Sequence, residues 1–340
     1  MQRNYWPTKK WQVGELENLK IDSGKFSEME SMIKSEYGNI NGMVVVKDGY
    51  IAYERYFNGF GPDDTNHVAS VTKSIISALI GIAIDKGFIK NVDQKVLDFF
   101  PEYIPDPIDK QKQEITIRHL LTMTAPYHFE DWHEPLDKMC MQSDWIMYIL
   151  NMLDQKGSIG TFKYSTAGAH LLSTIITRST GKSAREFANK HLFNPIGIKE
   201  IPDHEMNSYG FEDLFGKNVK GWVSDPSNNS TGGWGLTLTT RDMARLGFLY
   251  LNHGFWANKQ IISKKWIDET TKLNANNYGY LWWLREEEGF SAYLALGDGG
   301  NVICCIPEKD LVVAIASKVV VNPSDRWSLI KEYVIPTVLS

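Results

Sequence analysis

The sequence has few cysteines and no long apolar run. Its cysteines are Cys140, Cys304 and Cys305; the odd count and the adjacency of two of them argue against a disulfide framework and against a cysteine-rich zinc site. The chain lacks a run of about 18 apolar residues, so we expect no transmembrane helix. Its N-terminal segment lacks the apolar region of a secretory signal. By elimination, these absences favour a cytoplasmic protein with no membrane partner.

The chain also lacks a large excess of either charge. The formal net charge is −5, and neither sign forms a long run. Because proteins that bind nucleic acid need a basic face for the phosphates, this balance argues against nucleic acid as a partner. It leaves the oligomeric state open. Several signatures are also missing: the Gly-x-Ser-x-Gly elbow of α/β-hydrolases, the His-Glu-x-x-His zinc motif and the phosphate-binding loop.

Acidic and histidine residues in two loops raise the question of a metal site. The residues are Asp131, His133, Glu134, His204 and Glu205. Short loops that carry such residues more often simply face solvent, and their spacing matches no metal-binding motif. The sequence therefore predicts neither a metal ion nor another cofactor.

Strand-like segments lie near both ends of the chain. Residues 43–57 form a predicted hairpin around Asp48-Gly49, and residues 302–317 form a second one. Residues 278–284 and 290–300 have the composition of further strands. At roughly 150 residues per domain, a chain of 340 residues holds two domains or one interrupted domain.

Helical patterns fill most of the remainder. The predicted helices are residues 67–84, 144–153, 167–181, 183–197, 239–254 and 324–334, with Gly181, Thr240 and Gly254 at helix ends and a capping box at Ser183 and Glu186. We predict an α+β fold in which terminal helices flank an antiparallel sheet. Residues 1–85 and 220–340 would form the discontinuous sheet domain and residues 86–219 a helical lobe, with the active-site cleft between them.

A Ser-x-x-Lys pattern opens the most apolar of these helices. The pattern occurs at Ser31/Lys34, Ser70/Lys73, Ser179/Lys182 and Ser328/Lys331, so by itself it is weak, and a serine in a first helical turn beside a snorkelling lysine explains most copies. Only Ser70 and Lys73 begin a nearly all-apolar helix. An ammonium group entering such surroundings is costly unless it is paired or neutral.

Ser70 and Lys73 form a chemically sensible nucleophile and base. Residues three apart on a helix lie on one face, within hydrogen-bond reach. Desolvation favours the neutral form of a lysine, which can then take a proton from a hydroxyl. The positive end of the helix dipole lies beside Ser70, whose own N–H could polarise a substrate carbonyl.

Two further elements follow in an order that resembles a known superfamily. Tyr164-Ser165-Thr166 precedes the helix at 167–178, and Gly297-Asp298-Gly299-Gly300-Asn301 precedes the hairpin at 302–317. With Ser70-Val71-Thr72-Lys73, this order resembles the penicillin-binding proteins and serine β-lactamases. Residues 119–126, 231–254 and 278–283 add to the resemblance, which spans roughly residues 43–317. It is strongest toward the class C-like esterases, D-aminopeptidases and 6-aminohexanoate-dimer hydrolases.

The resemblance implies a β-lactamase-like fold and an acyl-enzyme mechanism without a cofactor. Ser70 would attack the acyl carbonyl of a small-molecule ester or amide, and Lys73 with Tyr164 would take its proton. Tyr164 would then protonate the leaving group. The resemblance places the oxyanion hole at the N–H of Ser70 and at one N–H after Gly299-Gly300, for which Asn301 is the expected donor.

The chain departs from the family pattern at two positions. Thr166 stands where asparagine is frequent, so one amide donor is missing. Asp298 stands where lysine, histidine or tryptophan is usual, and its charge would repel a substrate carboxylate by about 1 kcal/mol. This favours neutral or amine-bearing substrates over β-lactams. Loop placement suggests Thr166, Trp234, Tyr127, Trp132 and His133 as pocket lining, although a structural position is an equal alternative for the last four.

A second hypothesis keeps the scaffold but not the turnover. The chain would then be a ligand-binding or sensor module that acylates slowly or not at all. Both hypotheses share the cleft and the three sequence elements, so the sequence leaves them both open.

Overall fold

The computed structural model describes residues 3–106, 110–127, 129, 133–154 and 157–338. Both ends of the chain contribute to a six-stranded antiparallel sheet with the order β2-β1-β10-β9-β8-β7. Its strands are β1 (Ile40–Lys47), β2 (Tyr50–Tyr56), β7 (Trp283–Glu287), β8 (Phe290–Gly297), β9 (Asn301–Ile306) and β10 (Leu311–Ser317). Short strands also pair: β3 (Thr65–His67) with β4 (Thr237–Thr239), and β5 (Phe255–Trp256) with β6 (Lys259–Gln260).

The two predicted hairpins are confirmed. Asp48 and Gly49 turn the chain between β1 and β2 with φ values of 54° and 90°, the left-handed conformation that two-residue hairpins require. A 3₁₀ turn at Pro307–Lys309 joins β9 to β10. β1 lies beside β10, with Met43 opposite Ile315, so the N-terminal hairpin and the C-terminal strands form one sheet.

Helices occupy most of the chain between these strands. The helices are α1 (Gly24–Glu36), α2 (Val71–Asp85), α3 (Lys110–Glu114), α4 (Ile117–Leu121), α5 (Leu136–Cys140), α6 (Trp145–Met152), α7 (Thr166–Thr180), α8 (Ala184–Ala188), α9 (Asn194–Ile196), α10 (Phe211–Phe215), α11 (Thr240–Leu251), α12 (Lys264–Thr270) and α13 (Arg326–Leu329). Single π turns follow α8 (Asn189–Phe193) and α13 (Ile330–Val334), and further 3₁₀ turns lie at Val96–Phe99 and Ile335–Thr337. The α+β prediction is confirmed.

Several helix ends follow the predicted capping residues. Gly181 ends α7 in the left-handed conformation, with a φ of 68°, and Ser183 and Glu186 form the capping box of α8. The start of α11 was predicted wrongly. Thr239, not Thr240, is its N-cap, since the Thr239 side chain accepts a hydrogen bond from the Asp242 N–H.

Other boundaries differ because tertiary pairing overrides the local pattern. The helix predicted from residue 67 begins at Val71, because residues 65–67 pair with β4 instead. The strand predicted at 278–284 begins only at Trp283. α1 was not predicted at all, because its many polar residues hide the buried positions Phe26, Met29 and Ile33.

The sheet is covered on both faces. α1 and the C-terminal helical segment pack on one face around a core that includes Ile33, Val45 and Leu329. α2 and α11 pack on the other face, in a larger core that continues into the helical middle of the chain. Among the described helices, none is long and apolar enough to cross a membrane. The domain boundaries at residues 86 and 219 stay a prediction.

Candidate active site

Ser70 lies at a sharp turn between β3 and α2. Ala69, just before it, has a φ of 47°, a strained value for a residue with a side chain. The Ala69 N–H donates to Nδ1 of His67 over 3.2 Å, which holds the turn. Ser70 is therefore the N-cap of α2 rather than a first-turn residue, and its half-buried hydroxyl lines a cleft.

Lys73 lies directly behind Ser70 and is 1% exposed. Its Nζ atom donates to Oγ of Ser70 over 2.8 Å and to the carbonyl oxygen of Gly233 over 3.0 Å. The same atom lies 4.8 Å from the centre of the Tyr164 ring. The structure thus brings together the hydroxyl, the amine and the phenol that the sequence analysis selected.

Tyr164 reaches this point from the segment that leads into α7. Its ring stacks on Trp283, with 5.8 Å between the ring centroids, and Tyr278 packs edge-on at 6.3 Å. Ser165 is the N-cap of α7 and accepts a hydrogen bond from the Gly168 N–H. The aromatic packing on one side and the helix cap on the other fix the position of the phenol.

Glu134 completes this cap and was not predicted as a site residue. Its carboxylate accepts hydrogen bonds from the Ser165 hydroxyl over 2.9 Å and from the N–H groups of Thr166 and Ala167, each over 2.7 Å. Burial raises the pKa of Glu134, while these hydrogen bonds act in the opposite direction. A carboxylate suits the positive end of α7, so Glu134 holds the segment that carries Tyr164. A sequence pattern offers no signal for such a long-range cap.

The end of β8 forms the opposite wall beside Ser70. A Cβ atom at Gly297 would lie 3.1 Å from the Ser70 nitrogen and would collide with the Val68 carbonyl oxygen. Only glycine permits this approach. Gly297 begins the predicted oxyanion element, but the sequence analysis gave it no role of its own. Gly299 and Gly300 have φ values of 80° and 85° and turn the chain toward β9.

Asn301 connects the two walls of the site through hydrogen bonds. Its side chain is fully buried. The Nδ2 group donates to the Asp298 carbonyl over 2.8 Å and to the His67 carbonyl over 3.4 Å, and Oδ1 accepts from the Ser317 N–H over 2.9 Å. The amide of Asn301 therefore links the turn after β8 to the turn before Ser70.

The cleft that contains Ser70 has a volume of about 880 Å³. Its walls are Tyr164, Thr166 and Phe211 on the helical side and Trp283, Leu296 and residues 319–323 on the sheet side. Charged lining residues are Glu134, Arg285, Asp298, Asp325 and Arg326. The Arg326 guanidinium is already engaged, since it donates to Asn39 and to the Gly299 carbonyl, and Arg285 lies over the Trp327 ring at 5.0 Å.

The predicted pocket-lining residues have different positions. Thr166 lines the cleft and Asp298 is exposed at its edge. Trp234 is 2% exposed and stacks against Trp145 and Phe215, so it belongs to the core and not to the pocket wall. Tyr127 is likewise buried, stacked on Phe129.

His133 and Trp132 are the last two predicted lining residues. His133 is exposed to solvent and is absent from the described lining of the cleft. Trp132 lies outside the described residues.

This fold is that of a family of serine hydrolases. The chain belongs to the Beta-lactamase family, whose sequence model matches residues 32–331. The 6-aminohexanoate-dimer hydrolase of Paenarthrobacter ureafaciens is 22% identical over 299 residues, which cover 79% of this chain and 70% of that protein.

Solved structures of related proteins share the fold. The class C beta-lactamase from Rhodobacter sphaeroides has a TM-score of 0.65 at 17% identity, covering 94% of this chain and 100% of that one. A family VIII carboxylesterase has a TM-score of 0.61 at 17% identity, covering 93% and 98% of the two chains. The β-lactamase-like architecture expected from the sequence is confirmed.

Proposed function

We propose that this protein is a serine hydrolase that forms an acyl-enzyme on Ser70 and hydrolyses a small ester or amide. The observation that carries the proposal is the convergence of three groups on one point of the cleft. The amine of Lys73 is 2.8 Å from the Ser70 hydroxyl and 4.8 Å from the centre of the Tyr164 ring. A hydroxyl in contact with a buried amine is a nucleophile with its base in reach.

The proposed reaction has two halves. Ser70 Oγ attacks the substrate carbonyl carbon while its proton passes to the Lys73 amine. The tetrahedral intermediate then expels the alcohol or amine, which receives a proton from Tyr164, and the acyl group stays on Ser70. In the second half, water attacks the acyl carbonyl and gives a proton to Tyr164, which had lost its own. Ser70 Oγ then leaves with the proton that Lys73 had taken, so that the carboxylic acid is released and all three groups return to their starting states.

The oxyanion in this proposal is held by two backbone amides, and the first is that of Ser70. We assign the second to Asp298 rather than to Asn301. The Gly297 carbonyl accepts from the Gly300 N–H over 3.0 Å, so the polar groups of Gly297 point toward β9. Asp298 is the next residue along the chain, and the close approach of Gly297 to the Ser70 nitrogen supports the Asp298 N–H as the second donor.

The proposed substrates are neutral or amine-bearing. Glu134 and Asp298 are carboxylates that line the cleft, and Arg326, the buried cation of its wall, is occupied by protein acceptors. A substrate carboxylate would be repelled, whereas an amine would be attracted. The relative named 6-aminohexanoate-dimer hydrolase and the carboxylesterase of like fold support an amide or an ester as the bond that is cleaved. We further propose that the cleft separates the sheet unit (1–85 and 220–340) from the helical lobe (86–219).

A panel of acyl substrates tests the proposal. The purified protein is assayed with p-nitrophenyl esters and with amides of neutral, amine-bearing and carboxylate-bearing acids, beside Ser70→Ala. The proposal expects turnover that Ser70→Ala abolishes, together with covalent labelling by a fluorophosphonate at Ser70 only. A protein that is labelled at Ser70 but turns over none of the panel would instead be the slowly acylating binding module.

A further inference from the structure

A buried histidine and a buried aspartate lie behind the proposed catalytic groups and have no part in the steps above. His170, on α7, and Asp225, in the loop before β4, have side chains that are 0% and 1% exposed. The Nε2 atom of His170 lies 3.0 Å from Oδ2 of Asp225. A polar pair buried this deeply is retained only if its hydrogen bonds are satisfied.

The neighbouring backbone determines which nitrogen of His170 carries the proton. The Gly232 N–H, which can only donate, points at Nδ1 of His170 over 3.2 Å. Nδ1 must therefore be the acceptor and Nε2 the protonated donor to Asp225.

Asp225 accepts further hydrogen bonds from nitrogen groups that can only donate. Its Oδ1 accepts from the N–H groups of Ser227 and Asn229, each over 2.8 Å, and its Oδ2 accepts from Nδ2 of Asn229 over 2.9 Å. The carboxylate is buried, which opposes ionisation, but the hydrogen bonds from His170 and Asn229 hold its pKa below the usual value. The ionised, acceptor-only form of Asp225 thus imposes one tautomer on His170.

Gly232 connects this pair to Lys73. The next residue, Gly233, provides the carbonyl that accepts from Lys73 Nζ over 3.0 Å. Both glycines lie against the first turns of α7, where a Cβ atom at Gly232 would collide with the Ala169 carbonyl and one at Gly233 with the Thr166 side chain. The Gly232–Gly233 segment is therefore held by α7 on one side and by His170 at the Gly232 N–H.

We propose that His170 and Asp225 are positioning residues that fix the Gly232–Gly233 segment and thereby aim the Lys73 amine at Ser70. The chain of contacts runs from the Asp225 carboxylate through the His170 ring and the Gly232 N–H to the Gly233 carbonyl and Lys73. The inference rests on the proposed function only for its kinetic effect, because the tautomer and the geometry are independent of turnover.

Asp225→Asn tests this pair with little change in shape. The amide oxygen of the new side chain still accepts from the N–H groups of Ser227 and Asn229. Its NH₂ group therefore takes the position of Oδ2 and faces Nε2 of His170. His170 must then adopt the opposite tautomer, whose Nδ1–H opposes the Gly232 N–H and pushes the peptide away. A displacement of this kind reduces kcat by about 10- to 100-fold with KM nearly unchanged, since no residue that contacts substrate is altered.

Asn229→Ala is the matched control. It removes the other hydrogen bond to Oδ2 of Asp225 but leaves the His170 tautomer as it is. We expect a comparable loss of thermal stability in both variants and a loss of kcat in Asp225→Asn only. Equal kcat losses in the two variants, or wild-type kcat in Asp225→Asn, would overturn the proposal.

A spectroscopic readout separates this inference from the proposed function. ¹⁵N spectra of the wild-type protein, with His170 assigned by His170→Gln, distinguish a protonated from an unprotonated ring nitrogen. The proposal requires protonated Nε2 and bare Nδ1 in the wild type, and a change in the Lys73 amine resonance in Asp225→Asn but not in Asn229→Ala. The opposite wild-type tautomer refutes the positioning pair even if the enzyme is active. A wild type that has the required tautomer and shows no turnover refutes the hydrolase proposal alone.

Discussion

The Nζ atom of Lys73 donates a hydrogen bond of 2.8 Å to the Oγ atom of Ser70, from a position with almost no solvent exposure. The two residues are three positions apart, so the geometry of α2 itself brings them together. A second hydrogen bond, to the Gly233 carbonyl, leaves the amine little freedom to turn away. Changes to either side of this contact are therefore expected to affect acylation before they affect the fold.

Lys73→Met removes the proposed base and keeps the shape of the core. We expect kcat for an ester substrate to fall about 10²- to 10⁴-fold, the usual contribution of a general base. The free energy of unfolding should be unchanged or higher, because no amine is left buried. Steady-state hydrolysis and chemical denaturation measure the two effects. Lys112→Met is the control, since Lys112 is equally buried but donates to the Tyr103 hydroxyl outside the described lining of the cleft. Equal activity losses in both variants would argue against Lys73 as the base.

Tyr164→Phe removes the proposed acid and keeps the stacking on Trp283. Because p-nitrophenolate leaves without protonation, we expect a small effect on p-nitrophenyl esters and a loss of about 10²- to 10⁴-fold on amides. The comparison of the two substrate classes is the measurement. Tyr278→Phe, which alters the ring packed edge-on against Tyr164, should affect both classes alike. A loss in Tyr164→Phe that is independent of the leaving group would contradict the proton-donor assignment.

Gly297→Ala tests the close approach of β8 to Ser70. The added methyl group meets backbone atoms of Val68 and Ser70, which cannot move as a flexible side chain would. We expect a destabilisation of about 1–3 kcal/mol. We also expect kcat/KM to fall by a larger factor than the affinity for the product. Gly38→Ala is the control, because its methyl group would meet nothing nearer than the Lys34 carbonyl oxygen at 3.9 Å. Full activity in Gly297→Ala would show that this contact does not shape the oxyanion site.

His67 makes stability depend on pH. Burial lowers the pKa of His67 from 6.5 to about 4, although the Leu214 carbonyl and the charge of Asp298 act in the opposite direction. Between these values the unfolded chain binds the proton and the folded protein does not. The contribution to unfolding free energy is therefore complete above pH 6.5 and is lost as the pH falls toward 4. Denaturation across this window should show a steeper decline for the wild type than for His67→Gln; parallel curves would exclude His67 as the cause.

Asp298→Asn tests the substrate preference. If the carboxylate of Asp298 attracts an amine group, its removal should lower kcat/KM for amine-bearing substrates about fivefold relative to neutral ones, as expected from about 1 kcal/mol. The ratio should approach unity at high salt, because the charge is exposed and screened. An unchanged ratio at low salt would mean that Asp298 does not interact with the substrate.

The parts of the site that the sequence predicts are those with local geometry. Ser70 and Lys73 are neighbours on one helix, and the Asp48-Gly49 turn needs only its own conformation. Tyr164 was placed by resemblance, and its catalytic role stays a prediction. Glu134 and the His170–Asp225 pair act across 31 or more positions of the chain, so no local pattern marks them.

The sequence also does not show which residues near the cleft line it. Trp234 and Thr166 both belong to the segments that surround the cleft, yet Thr166 lines it and Trp234 stacks inside the core. The difference depends on the side to which each backbone segment directs its side chain, which composition does not encode. The N-cap position of Ser70 is also invisible in the sequence, because it follows from the pairing of β3 with β4.

Time-resolved intact-mass analysis is the most direct test of acylation at Ser70. The protein is mixed with an excess of a p-nitrophenyl ester, quenched at intervals and weighed, with peptide mapping of the adduct. An acyl-enzyme mechanism requires a single acyl adduct on Ser70 that appears as p-nitrophenolate is released and clears when the substrate is consumed. Turnover without an adduct in the wild type and undiminished in Ser70→Ala, or an adduct on another residue, would contradict it.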